Sequence, residues 1–160
     1  MRKRLLIFTL LLAVLFSFCA CDGGNVSQGN GTAGGGNTQS GNLGSYNVSI
    51  ESCRLAMDYK DSPIVIVKYK FTNYDDDAIA FIYALNCNVF QNGVGLNECY
   101  AVNNSAHYSA AEQSKAIKKG SSLYIEEAYI LNDTYTDIEV EVSELFSFSS
   151  KKITKTFSIR

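Results

Sequence analysis

From residue 46 onward apolar and polar side chains alternate with a period of two, and turn-forming residues interrupt the alternation every ten to fifteen positions or so. "YNVSIESCRLAMDY" carries Tyr46, Val48 and Ile50 on one parity and Cys53, Leu55 and Met57 on the other, so the slip of phase near Glu51 and Ser52 predicts a β-bulge. "IVIVKYKFTN" is the clearest strand, with Val65, Val67, Tyr69 and Phe71 facing inward. "AIAFIYALNCNVF" reads as one long strand covered on both faces for part of its length. "QNG" closes a hairpin, because both residues of Asn92-Gly93 tolerate the positive φ of a type I′ turn.

"VGLNECYAV" is the predicted return strand. After it comes the irregular "NNSAHYSAAEQSKAIKKG", in which residues 110–117 suit a helical turn or two. "SSLYIEEAYIL" supplies another strand. A last hairpin pairs "DIEVEVSELFSF" with "KKITKTFSI", placing Ile138, Val140, Val142, Ile153, Phe157 and Ile159 inward. Seven strands without a substantial helix predict an all-β fold, an immunoglobulin-like antiparallel β-sandwich spanning 46–160. The chain has no tryptophan, and no cysteine pair stands at the wide separation of antibody domains, so the expectation concerns architecture rather than that superfamily.

The first 45 residues follow a different pattern. Arg2, Lys3 and Arg4 precede an apolar run from Leu5 to Phe18, closed by the small residue Ala20. This is the layout of a secretory signal over 1–20, and its apolar core of about 14 residues falls short of the roughly 20 that a stable transmembrane helix needs. Nine of the chain's twelve glycines lie before residue 45, with abundant Asn, Ser, Thr and Gln and hardly an aliphatic side chain. Residues 21–45 are therefore expected to form a flexible linker, since they offer too little apolar area to offset the entropy of ordering.

Charge narrows the partners. The formal net charge is −2, and removal of the basic start leaves eleven basic against sixteen acidic residues. An acidic exported chain excludes the usual basis of nucleic-acid binding, and anionic lipid headgroups are equally poor electrostatic partners.

At the junction stands "FCAC". Cleavage between Ala20 and Cys21 would suit a signal peptidase, whereas cleavage before Cys19 would follow the bulky Phe18. The stretch resembles the lipobox of bacterial lipoproteins, although Phe18 stands where leucine is usual. The resemblance implies that Cys21 carries a diacylglycerol, with palmitate-like chains that anchor the protein to the membrane through about 0.8 kcal/mol per buried methylene. The expected location is the extracellular face of the cell membrane. The alternative is an unlipidated Cys21 in a secreted chain.

"IVIVKYKFTNYDDDAIAF", "VFQNGVGLN", "AIKKGSSLYIEEAYIL" and "DIEVEVSELFSFSSKKITKTFSI" together resemble a family of small surface lipoproteins of low-GC Gram-positive bacteria, catalogued as a domain of unknown function. That family is similar to an immunoglobulin-like superfamily of extracellular modules, among them a mycobacterial immunoprotective antigen. The resemblance implies a sandwich and an exported setting. It brings no catalytic motif.

Candidate chemistry is sparse. His107, the single histidine, lies in a polar loop with no "GxSxG" elbow anywhere in the chain, so no catalytic residue is assigned. Asp75, Asp76 and Asp77 lack the spacing that wraps a loop around calcium, and neither a metal nor a cofactor is expected. Cys53, Cys87 and Cys99 remain after processing. One bulged residue in the Asn92-Gly93 hairpin would set Cys87 opposite Cys99 and permit a disulfide, and three buried thiols are the alternative. Tyr100 and Tyr108, beside the irregular segment, are candidate ligand contacts.

The sequence thus predicts a lipid-anchored, non-catalytic binding module whose partner is an envelope protein or glycan. An accessory enzyme or delivery component acting on wall-associated substrates is the alternative, and a structural spacer without a ligand is a third.

Overall fold

The computed structural model describes residues 39–160. The expected signal segment, the cleavage pair Ala20 and Cys21, and the lipidation at Cys21 lie outside the described residues.

Ser40–Leu43 forms β1, antiparallel to β2 (Tyr46–Met57), with Leu43 opposite Tyr46. The linker expected over 21–45 therefore ends earlier than its composition suggests. Leu43 is the reason: its side chain is buried in the main core, and Gly44 supplies the positive φ (57°) of the tight connection. The predicted bulge lies in β2, where the pairing with β3 (Pro63–Asn73) slips between Ile50 and Ser52.

The long strand expected over residues 78–90 is broken. It divides into β4 (Ile79–Ala80), a single helical turn α1 (Phe81–Ala84) and β5 (Leu85–Gln91). In "AFIYAL" the buried positions are Ala80, Phe81, Ala84 and Leu85, two pairs four apart with Phe81 and Ala84 three apart, which is a helical spacing. A short apolar run suits both periods, and here packing against the core selected the turn.

Asn92 (φ 52°) and Gly93 (φ 74°) make the predicted tight hairpin to β6 (Val94–Gly95), in strict register, with Phe90 opposite Gly95. The expected return strand stops there. Residues 97–99 instead leave the second sheet and follow the free edge of the first, with Cys99 N–H donating to Ala128 O at 2.7 Å and Ile130 N–H donating to Asn97 O at 2.9 Å, and residues 101–103 then bond to Met57 and Tyr59 at the end of β2. Two short 3₁₀ turns, Asn104–Ala106 and Ala110–Ser114, precede β7 (Ala116–Ile117), which pairs with β4. The chain ends with β8 (Ser122–Ile130), β9 (Ile138–Glu144) and β10 (Lys152–Phe157).

The architecture is an antiparallel β-sandwich. One sheet has the order β1-β2-β3-β8 and the other β10-β9-β5-β6. The core between them takes Val65, Val67, Tyr69 and Phe71 from β3, Leu85 and Val89 from β5, and Ile138, Val140 and Val142 from β9. A second apolar cluster covers the outer face of the first sheet, where Cys99 and Val102 pack on Ile64, Ile66 and Ala128. That is why all four residues of "IVIV" are fully buried.

Two buried amides pin loops to strand ends. Gln91 Nε2 donates to the carbonyls of Asp133 (3.0 Å) and Thr136 (2.9 Å), and its Oε1 accepts from Asn132 N–H at 2.9 Å. Asn73 Nδ2 donates to the carbonyls of Asp77 (2.8 Å) and Ile117 (3.0 Å). At the far edge, Lys155 Nζ donates to the carbonyls of Ile50 (2.9 Å) and Glu51 (2.8 Å), on the bulge itself.

Candidate functional site

Inward positions on β8 follow from its alternation: Leu123, Ile125, Glu127 and Tyr129, with Glu127 opposite Val67 and Tyr129 opposite Val65 on β3. A glutamate thus occupies a position that alternation reserves for the core. Its neighbour Glu126 points outward and has a partner, forming an ion pair with Arg54 at 2.5 Å. Glu127 accepts a hydrogen bond from the Tyr129 hydroxyl at 2.8 Å and lies against the Cys87 thiol on the facing sheet.

The space around this carboxyl is open. β8 is the last strand of its sheet and β6 spans only two residues, so the sandwich gapes where the chain crosses between sheets. Two adjoining hollows form there, of about 410 and 380 Å³, sharing Cys87, Glu98 and Tyr100. Tyr129 and Asn97 line the first, Glu127 and Gln113 the second. No lysine, arginine or histidine lines either one.

The electrostatics follow from burial. Burial pushes the Glu127 carboxyl up to about 7, only partly opposed by the hydroxyl of Tyr129. The Cys87 thiol is pushed well above its ordinary value, first by burial and then by the charge of Glu127. It is therefore a thiol rather than a thiolate at neutral pH, and a poor nucleophile. Burial likewise raises Tyr129 and Tyr69. The Tyr69 hydroxyl is wholly buried beside Cys87, Glu127 and Tyr129.

Tyr100 stands on the lip of both hollows, exposed, with its hydroxyl donating to Glu98. Tyr108 is half-buried in a narrow crevice that also touches Glu98, Tyr100 and Glu127. Its hydroxyl accepts from Gln113 Nε2 at 3.1 Å, and burial pushes it up to about 12. The sequence did not single out Glu127, although an acid at an inward position of "SLYIEEAYI" was a readable signal.

The disulfide between Cys87 and Cys99 does not form: Cys53, Cys87 and Cys99 are all free. The hairpin is strict rather than bulged, and the chain leaves the sheet after Gly95. Cys87 then faces the main core, while Cys99 is buried on the opposite side of the first sheet. His107 is exposed in its loop, and Asp76 pairs with Lys119 at 2.6 Å. Among the described residues no three metal-ligating side chains cluster.

A family model described as Domain of unknown function (DUF5067) matches residues 28–144, most of the chain and every side chain around the hollows except Leu145. The chain belongs to that family. This DUF5067 chain shares its fold with a candidate lipoprotein of Staphylococcus aureus, at 14% identity and a TM-score of 0.56 over 72% of this chain and 84% of that one. It is similar to the yjhA protein of Bacillus subtilis at 10% identity and a TM-score of 0.51, covering 76% and 96% of the two chains. A conserved hypothetical protein of Bacillus anthracis follows at 10% identity and 0.50, covering 77% and 93%. No curated protein matches the chain.

Proposed function

We propose that this DUF5067 protein is a lipid-anchored, non-catalytic binding module on the extracellular face of the bacterial cell membrane, with the hollows around Glu127 as its ligand site. The observation that carries the binding role is a carboxylate set at a core position and left facing open space. Burying an acid without a cationic partner costs stability, and pockets of about 300–1,000 Å³ with a few convergent polar groups are the usual form of small-ligand sites. The raised thiol of Cys87 and the position of His107 in a separate, exposed loop argue for binding rather than bond-breaking chemistry.

Anchorage is supported by the signal layout, by Cys21 behind Ala20, and by the candidate lipoprotein of Staphylococcus aureus that shares the fold. Among the described residues no helix is long and apolar enough to cross a membrane.

Two experiments test the reading. Metabolic labelling with a fatty-acid analogue should mark the protein, and Cys21→Ser should abolish the label; label that persists in that variant removes Cys21 as the anchor. A fragment screen followed by amide chemical shifts should return hits clustered at residues 87, 98, 100, 127 and 129. Hits scattered over the surface, or none, would dismiss the hollows as a ligand site.

A further inference from the structure

The hollows have a one-sided chemistry. Their ionisable side chains are Glu127 from β8, Cys87 from β5, and Glu98 and Tyr100 from the crossing segment, joined by Tyr129 from β8. Tyr69 from β3 and Tyr108 stand close by. Every one of these groups is neutral or negative, and none can be positive. Glu126, one residue away on the other face, has Arg54; Glu127 has no such partner lining its space.

The remaining walls combine aliphatic side chains with neutral amides, Asn86 and Gln113 on the Glu127 side and Asn88 and Asn97 on the Tyr129 side. Ile82, Leu85 and Leu145 line the Glu127 side, and Val89 and Leu96 the Tyr129 side. Two aromatic side chains, Tyr100 in both hollows and Tyr129 in the adjoining one, belong to the class that stabilises a cation nearby.

We propose that the hollow at Glu127 binds a small organic cation, a primary ammonium group on a short apolar stem, with Glu127 as its counter-ion, Glu98 and Tyr100 at the lip, and the aliphatic walls around the stem. This rests on the reading of the hollows as a ligand site and names the class of ligand. An ammonium group supplies the missing positive charge and three donors to a set of acceptors. A metal ion is a poorer fit, since no three ligating side chains converge among the described residues. An anion would meet the carboxylates of Glu98 and Glu127 with no lysine, arginine or histidine on the lining to offset them.

Binding of this kind is linked to protonation. With the Glu127 carboxyl near 7, about one-tenth of it is ionised at about pH 6 and about nine-tenths at about pH 8. The cation should therefore bind about tenfold more tightly at the higher pH.

The test uses the full chain in zwitterionic micelles, observed through its amide chemical shifts, with n-butylammonium, n-butanol and butyrate as probes of one shape and three charges. Butylammonium should shift the amides of residues 87, 98, 100, 127 and 129, about tenfold more tightly at about pH 8 than at about pH 6. Glu127→Gln should lose that binding, and Glu126→Gln should keep it. The amide spectrum of each variant verifies its fold. Equal binding of butylammonium and butanol would overturn the cation while leaving the hollow as a ligand site, and so would unchanged binding by a folded Glu127→Gln variant. Absence of shifts from all three probes at about 50 mM would remove the ligand site itself, because even weak fragments register at that concentration.

Discussion

Glu127→Gln tests the central electrostatic reasoning without any ligand. The free carboxyl titrates at an ordinary 4.5, and in the folded chain burial raises it to about 7. The folded state therefore holds a proton that the unfolded state has released, and stability must fall as pH rises through this window. The stabilising contribution is complete below about pH 4.5 and is lost as pH passes 7. The size of the rise corresponds to about 3 kcal/mol. Glutamine mimics the protonated acid in shape and charge, so the variant should match the parent at about pH 4.5 and exceed it by about 3 kcal/mol at about pH 8.

Urea unfolding followed by far-ultraviolet circular dichroism, at several pH values between these two, measures the difference. Asp58 and Asp133 do not confuse the result. Backbone hydrogen bonds hold the Asp58 carboxyl below its ordinary range, and Asp133, where burial works the other way, ends lower too through its bonds to Thr136 and Tyr135. Their contributions are present above about pH 3.8 and are lost only as pH falls further, outside the window of Glu127. If the two unfolding curves stay parallel from about pH 4.5 to about pH 8, Glu127 is solvated and the reasoning fails.

Leu43→Ala should destabilise the fold by about 2–4 kcal/mol in the same urea assay, since the side chain is buried in the main core; a change within error would return residues 40–43 to the linker. Gln91→Leu should cost about 2–4 kcal/mol by stranding the loop carbonyls and amides at 132–136, and hydrogen exchange should quicken at Asn132 while β2 stays protected. Denatured, unreduced protein lacking residues 1–21 should react with three equivalents of a thiol reagent; one equivalent would restore a bridge.

Much of the sandwich was legible because its main strands are long and alternate over most of their length. The parities of β3, β9 and β10, the bulge at Ile50 and Ser52, and the Asn92-Gly93 turn all follow from local rules that packing did not override. Sequence reasoning failed where a residue answers to a distant partner. Leu43 is a single aliphatic side chain among glycines, and only the cavity it fills marks it as core. "AFIYAL" satisfies two periods at once. "LNECYAV" continues the hairpin in pattern, yet it is drawn away because Ile64 and Ile66 expose a second apolar face that Cys99 and Val102 cover.

The hollow itself was half legible. Tyr100 and Tyr108 were noted from their place beside the irregular segment, and both lie at the Glu127 opening. Glu127 was hidden in plain alternation, because a strand is more easily located than its few exceptions are noticed.

The far edge of the first sheet bears on how such chains coexist at high density. β2 is twelve residues long, and β1 covers only its first four. The stretch left between β1 and the segment 101–103, which bonds to Met57 and Tyr59, is a template on which another copy can add a strand. Three devices interrupt it in succession: the short cover strand, the bulge at Ile50 and Ser52, and the ammonium of Lys155 on the carbonyls of Ile50 and Glu51. A fragment begun at Tyr46 would discard the first of these and bare the edge of β2 at residues 46–49 to a neighbour. The few residues that end the glycine-rich stretch thus serve the population of molecules as well as the single fold, by keeping each sheet to itself.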